Sequence, residues 1–485
     1  MKNYSLFRNA SILLVLAAFG LMVAGYHPGA EDDEVYLAAI QHDLNPVLFP
    51  HDAEFFAVQL QATIFDKLIA VSVRATHLPL AWTIFAWHFL AIYLVLFGCW
   101  RVSRRCFAEP YPQWASVTLI AVLLTLPLAG SALYIVDQNL HPRALATAAI
   151  LAAIVAILDR KIWFAAAWLV VAALIHPIMA SFGVSFCFFL GWRQSSSRQL
   201  PALAALAPLG WIFEPTSPAW RAAAETRDYY YLGRWQWYEW LGVIAPLLIL
   251  WGFRKLGQKQ NESTFVYLTT RLIWYGVFQL TVAIALMLPE RLQRIRPLQP
   301  MRYLHLFYIL FIVLAGGLLG QKLLQRHAAR WLLLFAPLAA GMFIAQRATF
   351  PGSLHLELPG RQSRNPWLEA FAWIREHTPA DAYFAVGADY MSRPGEDYHG
   401  FRALAERGRL ADEGKDSAVA TQVPRLSQRW LSEVDAQRGW EHFGPADFAR
   451  LKSSFGVNWV VVGRPAGEGM HCPHENASLR VCLVD

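Results

Sequence analysis

Residues 6–36 read LFRNASILLVLAAFGLMVAGYHPGAEDDEVY. An apolar run of span length gives way, within a few residues, to four consecutive carboxylates, Glu31 to Glu34, and that order decides the fold class. A bilayer span needs about 20 apolar residues, and one carboxylate at mid-span costs about 2.5–3.5 kcal/mol on the insertion scale. The acids therefore lie outside the hydrocarbon. Lys2 and Arg8 precede the apolar core as in a secretion signal, but no clean small-x-small site follows it, and Gly25-Tyr26-His27-Pro28 is a poor one. The run is expected to be an uncleaved first span.

The same pattern recurs along the chain. Of 485 residues, 56% are hydrophobic, 14% aromatic and only 16% charged, against about 25% charged in soluble proteins; mean hydropathy is +0.32. Disorder, collagen and small disulfide scaffolds are excluded. Spans are expected near 6–24, 80–100, 114–131, 143–158, 162–177, 179–192, 199–213, 239–253, 265–289, 302–320 and 331–348. Basic loops follow the even-numbered spans (Arg101/Arg104/Arg105, Arg160/Lys161, Arg193/Arg198, Arg254/Lys255/Lys259, Lys322/Arg326/Arg330), which with Lys2 and Arg8 puts the N-terminus inside. The pair at 162–192 is read as a hairpin turning at His176-Pro177, because a single crossing would strand one basic loop outside. Residues 1–349 are thus expected to be an α-helical polytopic membrane domain of about 11 transmembrane helices with an acidic first outer loop (25–79). Residues 350–485 are expected outside, in the periplasm of a bacterial inner membrane. The net charge of +7 resides in the loops of the membrane part; the tail holds 15 basic against 18 acidic residues. It is no nucleic-acid footprint.

The tail has a different grammar. Asn365-Pro366 caps a helix carrying Trp367, Leu368, Phe371 and Ile374 on one face. Tyr383–Val386, Val457–Val462 and Leu479–Val484 read as strands, and 424–437 and 445–454 as helices, which together suggest a small α/β domain. His471-Cys472-Pro473-His474 matches no standard zinc spacing; a Cys472–Cys482 disulfide fits an outer compartment better. Cys99, Cys106 and Cys187 are packing residues.

Seven of the 17 acidic residues in 1–349 fall between 31 and 54: Glu31, Asp32, Asp33, Glu34, Asp43, Asp52 and Glu54. The plain reading is a solvated loop. Against it, Tyr36, Leu44, Val47, Leu48, Phe49, Phe55 and Phe56 interleave with the acids, and carboxylates in such a segment tend to face a membrane-surface cavity. Asp52 and Glu54, with His51, could hold a divalent cation such as Mg or Mn through oxygen ligands. Arg291, Arg294, Arg296 and Arg302 place positive charge on the side where the orientation rule disfavours it. A lipid phosphate bound by arginine forks would retain them; pairing with the acidic loop is the alternative. Arg143 is a further candidate, and Asp137 a further carboxylate. His27, His51, His141 and His176 lie near expected outer span ends, where histidines are more often structural than ligating. The aromatic run Tyr229, Tyr230, Tyr231, Trp235, Trp237, Tyr238 and Trp240 reads as an interfacial belt, with sugar stacking as the sharper alternative.

A first span followed by an outer loop opening Asp33-Glu34-Val35-Tyr36 resembles the GT-C superfamily of membrane glycosyltransferases, in the relatives of oligosaccharyl-, mannosyl- and aminoarabinose transferases. It is closest to a bacterial branch in which His141-Pro142-Arg143, Gln299-Pro300-Met301-Arg302 and Gly400-Phe401-Arg402…Ala411-Asp412…Lys415-Asp416 recur. The resemblance implies a sugar donor carried on polyprenyl phosphate or pyrophosphate, inversion at the sugar C1, and Asp33 as base, with Asp32 and Glu34 as neighbours that tune or replace it. The acceptor (glycan, lipid or protein) is left open. Two other classes stay in view: a multi-span transporter or lipid-handling protein, and a catalytically silent scaffold of the same fold. Transporters show related halves and mid-span ionisable groups; no repeat is visible here and the acids crowd a loop. No P-loop, Gly-x-Ser-x-Gly elbow or His-Glu-x-x-His is present.

Overall fold

The computed structural model describes residues 2–191, 214–260, 262–361, 363–393 and 395–484. The span expected at 199–213 lies outside them. The chain is mostly helical. Helix α1 (Lys2–Ala24) leads into the first loop, which is itself folded into α2 (Asp33–Leu44), α3 (Glu54–Ala62) and α4 (Phe65–Thr76). The bundle continues with α5 (Leu80–Cys106), α6 (Pro110–Val122), α7 (Pro142–Leu158), α8 (Ile162–Ile175) and α9 (Pro177–Gly191). After α10 (Pro218–Glu225) come α11 (Trp237–Lys259), α12 (Ser263–Met287), α13 (Tyr303–Leu319) and α14 (Ala328–Thr349).

Six helical stretches among the described residues are long and apolar enough to cross a membrane, and three shorter apolar helices, α7, α8 and α9, pack among them. Trp163, Phe164, Leu248 and Leu333 project from this bundle with more than 60% of their surface exposed; a band of that kind suits lipid and not water. Helices α8 and α9 are separate, joined at His176, whose backbone is extended ahead of Pro177. One expected span is corrected. The run 114–131 is α-helical only to Val122, and 123–141 is irregular apart from a short 3-10 turn at Ala129–Ser131. Pro127 interrupts the run, and a Cβ on Gly130 would stand 2.5 Å from the Trp235 ring.

Helices α6 and α13 approach closely because α13 offers glycines at the contact. A Cβ at Gly316 would lie 2.8 Å from the Ser116 Cα, and one at Gly320, just past the helix, 2.6 Å from the Pro112 Cα. Small residues four apart permit such contact, and in lipid, packing of this kind replaces the hydrophobic drive.

The tail is an α/β unit. Helix α15 (Pro366–His377) is capped by Asn365, whose Oδ1 accepts from the Trp367 N–H at 2.9 Å. Strands β1 (Tyr383–Ala385), β2 (Gly408–Arg409), β3 (Trp459–Gly463), β4 (His474–Glu475) and β5 (Leu479–Leu483) form one sheet in the order β2-β1-β3-β5-β4. β1 runs parallel to β2 and β3, and β5 antiparallel to β3 and β4. Alternation along the strands feeds two cores: Phe384, Val461 and Val481 pack with Phe371 and Ile374, whereas Tyr383, Val460 and Val462 pack with Phe448 and Leu451. The remaining helices are α16 (Phe401–Ala405), α17 (Lys415–Gln422), α18 (Ser427–Ala436) and α19 (Pro445–Phe455). Cys472 and Cys482 are disulfide-bonded, and the other three cysteines are free and buried.

The tail and the first loop are knit together. Arg402 is fully buried, as are Glu34, Asp52 and Asp416 around it. Its Nη1 lies 3.2 Å from Glu34 Oε1, its Nη2 2.9 Å from Asp416 Oδ2, and its Nε bonds Asp52. Glu34 Oε2 also accepts the Arg402 backbone N–H at 2.8 Å. Removing one partner from such a buried cluster costs far more than the cluster contributes net, because charge is then left unpaired.

Candidate active site

A cavity of about 410 Å³ opens where the first loop, the irregular segment 127–143, residues 227–229, the turns at 299–302 and α17 converge. Two loop carboxylates line it, Glu31 and Asp32, the latter just before α2. Asp32 Oδ1 lies 2.9 Å from Lys415 Nζ, and Oδ2 lies 3.3 Å from His141 Nε2. Lys415 also bonds Glu31. His141 caps α7: its Nδ1 accepts from the Arg143 N–H at 3.1 Å. His141 Nε2 also lies 3.1 Å from Arg143 Nη2, so Asp32 and the Arg143 guanidinium meet at that nitrogen. Arg143 Nη2 stands 3.8 Å from Asp32 Oδ2 and 3.6 Å from Asp137 Oδ2. Tyr36 meets the His141 ring edge-on, and His176 stacks beyond it at 6.1 Å. Burial pushes the Asp32 carboxyl up, but Lys415, His141 and Arg143 overcome it and hold it well below the usual carboxylate range.

Asp33 and Glu34 are turned elsewhere. Asp33 Oδ2 accepts the Gly29 N–H at 2.8 Å, so this buried side chain fixes the loop that presents Asp32. Burial lifts it to about 7, against the pull of the Gly29 and Asn139 bonds. Glu34 belongs to the Arg402 cluster, where burial, opposed by Arg402 and Arg409, lifts it to about 8. Neither lines the cavity.

The cavity also has a cationic lining. Arg143, Arg227 and Arg302 all line it. Arg143 Nε and Nη1, Arg227 Nε and Nη2, and Arg302 Nε have no hydrogen-bond partner. Buried guanidinium N–H groups are normally satisfied, and three aimed into one cavity make an anion site. Of the expected arginine set, then, only Arg302 and Arg143 reach it. Arg291 is exposed. Arg294 bonds the Glu214 and Pro215 carbonyls at 3.0 and 2.9 Å, and Arg296 bonds the Met287 carbonyl and lies over Tyr231.

The expected cation site at His51, Asp52 and Glu54 does not assemble. Asp52 is taken by Arg402 and by the Arg409 N–H, and Glu54 pairs with Arg429 at 3.1 Å. His51 packs on Tyr383. An ammonium or guanidinium already supplies the positive charge at each carboxylate. The histidines also divide: His141 and His176 adjoin the cavity, whereas His27 lies apart with Glu357 and His399, a group of metal-binding type. In the aromatic run, Tyr229 lines the cavity and buried Tyr230 faces Thr421, while Trp237 and Tyr238 are exposed at the start of α11.

Arg227 is a cavity residue that sequence reading missed, whereas Tyr229 was reached through the aromatic run. Arg227 stands between Glu225 and Asp228, a pattern that reads as a solvated face. The three stretches singled out in the sequence do meet here: His141 and Arg143, Gln299 and Arg302, and Lys415 line one cavity.

No protein-family model matches the sequence, and no curated protein matches it. Among solved structures, the chain is similar to the Archaeoglobus fulgidus oligosaccharyltransferase in its apo form (12% identity, TM-score 0.48, covering 93% of this chain and 69% of that one). It is similar to the same enzyme in complex with Zn and sulfate (14%, 0.47, 93% and 68%). A third likeness is to archaeal oligosaccharyltransferase AglB from Archaeoglobus fulgidus in complex with an inhibitory peptide and a dolichol-phosphate (12%, 0.49, 95% and 70%). At these values the likenesses assign no function to this chain.

Proposed function

We infer that this chain is an integral membrane glycosyltransferase of GT-C type, moving a sugar from a polyprenyl-phosphate donor to an acceptor hydroxyl with inversion. The observation that carries the reading is the cavity's mixed lining: carboxylates Glu31, Asp32 and Asp137 together with Arg143, Arg227 and Arg302, each of which keeps at least one guanidinium nitrogen without a hydrogen-bond partner. Inverting transfer needs these two features opposed across C1. The donor's phosphate sits on the three guanidiniums. The acceptor oxygen attacks C1 from the Asp32 side, and its proton passes to the Asp32 carboxylate. As the new C1–O bond forms, the bond from C1 to the phosphate oxygen breaks, and the polyprenyl phosphate leaves as an anion held by the arginines. Asp32 replaces Asp33 as base because it alone of the pair faces the cavity. Lys415 and His141 keep it ionised. For a Mg or Mn ion, the carboxylates in this cavity are Glu31, Asp32 and Asp137, with Lys415 competing for the first two and Arg143 for the last two. Loop, cavity and tail are placed on the outer face of a bacterial inner membrane.

The test is transfer by the purified chain in detergent or nanodiscs, with Asp32→Asn against wild type. Loss of a positioned base costs about 10²–10⁴ in rate. The expected result is a fall of at least about 100-fold with unchanged expression and gel-filtration profile. Arg143→Gln together with Arg302→Gln is expected to abolish retention of a polyprenyl phosphate in native mass spectrometry. Full activity in Asp32→Asn sinks the base assignment. Undiminished lipid-phosphate retention in the double arginine variant sinks the donor assignment.

A further inference from the structure

Outside the cavity, three side chains from distant parts of the chain converge. His27 follows α1, Glu357 follows α14, and His399 precedes α16. His27 Nδ1 lies 3.3 Å and His399 Nε2 2.9 Å from the same atom, Glu357 Oε2. His27 and His399 are buried, and Glu357 is 10% exposed. None of the three lines the active-site cavity. We propose that these residues form a transition-metal site of the zinc type that clasps the tail to the end of the first helix.

The backbone delivers the ligands before any ion is bound. The Glu357 N–H donates to the Tyr26 carbonyl at 2.9 Å, and the Tyr26 N–H to the His355 carbonyl at 2.9 Å, making a short parallel bridge. Ala30 bridges His399 in the antiparallel sense, and the Gly400 N–H donates to the Gly29 carbonyl at 2.7 Å. The His27 ring is fixed by stacking on Phe350 at 3.8 Å. A site on such bridges loses little freedom when it closes on an ion.

The geometry and donor set agree. One ligand atom from each residue lies within 4.8 Å of the other two. Ligands at about 2.0–2.1 Å around a tetrahedral zinc stand roughly 3.3–3.5 Å apart, so a small rotation of one imidazole closes the triangle. Two imidazoles and one carboxylate are a zinc set, with water in the fourth place; magnesium and calcium prefer oxygen alone. As a hydrogen-bonded trio the cluster satisfies itself poorly. His27 Nε2, His399 Nδ1 and Glu357 Oε1 are buried without a hydrogen-bond partner, so the trio leaves one polar atom of each residue unsatisfied.

The experiment uses the full chain in detergent, stripped with a chelator, loaded with Zn²⁺ and dialysed. Metal content is read by mass spectrometry, and affinity by competition with a chromophoric chelator. Wild type is expected to retain one more zinc per chain than His27→Gln or His399→Gln, with affinity at this site lowered at least about 100-fold in each, beyond what outer-shell changes cost. Zinc-edge X-ray absorption of the wild type, which does not depend on any variant folding, is expected to show two imidazoles in the first shell. Stripping the zinc is expected to speed protease release of the tail. Equal zinc content in wild type and variants, or a first shell without two imidazoles, overturns the site. Zinc retention with protease release unchanged by stripping overturns the clasp. Sugar transfer is not needed for any of these readouts, so the site stands or falls independently of the catalytic reading.

Discussion

Asp32 and Asp33 are neighbours of identical chemistry, and helix geometry separates their fates. Successive residues entering a helix point about 100° apart, so when Asp32 faces the cavity Asp33 must face the loop, where it takes the Gly29 N–H. The sequence shows the acids clustered, but which of the two faces the cavity depends on where α2 begins to turn. The pH dependence of folding distinguishes them. Asp33, at about 7, lies well above the ordinary value near 4. Below pH 4 the carboxyl is protonated in folded and unfolded chains alike. Between pH 4 and 7 the unfolded chain ionises while the folded one resists, so stability falls by about 1.4 kcal/mol per pH unit and levels off once Asp33 itself ionises. Asp33→Asn keeps an acceptor for Gly29 and removes this titration. The variant is expected to lose less thermal stability than wild type between pH 5 and pH 8, read as the Tm difference at the two pH values. An equal loss in both proteins would place Asp33 in an ordinary, solvated setting.

Among the elements, hydropathy finds the long helices because lipid demands the same composition along a whole span. Residues 114–131 show where that reading fails. The run is apolar throughout, yet after Val122 its backbone leaves the helix to build one wall of the cavity. Composition reports the environment of a segment and not its conformation, so an apolar cavity wall and a span read alike. The tail strands were legible for the opposite reason: short β-branched runs such as Val460 to Val462 have one way to be buried between two layers of helices. Helix–helix contact was not legible, since a glycine in a span has no distinguishing pattern until its neighbour is known. That contact yields a prediction with a sign. Gly316→Leu forces a side chain towards the Ser116 Cα and is expected to destabilise the chain by about 3 kcal/mol, the upper range for overpacking. Gly341→Ala in α14 meets nothing within 4 Å and is expected to be neutral or to add up to about 1 kcal/mol from helix propensity. Thermal unfolding in one detergent compares the two directly. Equal effects would mean that α6 and α13 do not touch as closely as their glycines permit.

For the whole molecule, the contacts between first loop and tail constrain the path of the chain through the bilayer. Lys415 reaches Asp32, Arg402 reaches Glu34 and Asp52, and His399 adjoins Glu357 and His27. Both regions therefore lie on one side of any membrane the bundle crosses, and the chain between Ala24 and Phe350 must cross an even number of times. At the other end, Arg105 closing α5 pairs with Asp159 after α7, while His141 at the start of α7 faces Asp32. The helices thus alternate between a cavity end and a far end. The ten crossings expected between loop and tail are even in number; of these, 199–213 lies outside the described residues and 114–131 is α-helical only to Val122. Labelling tests this without reference to catalysis. Val47 and Arg438 are 65% and 72% exposed, and the native cysteines are buried or disulfide-bonded, so background reaction is low. Val47→Cys and Arg438→Cys are both expected to react with a membrane-impermeant maleimide added to intact cells. Reaction at only one of them would mean that the chain crosses an odd number of times, that the tail cannot close over the loop, and that the cavity built by Asp32, Arg143, Arg302 and Lys415 does not exist in the membrane.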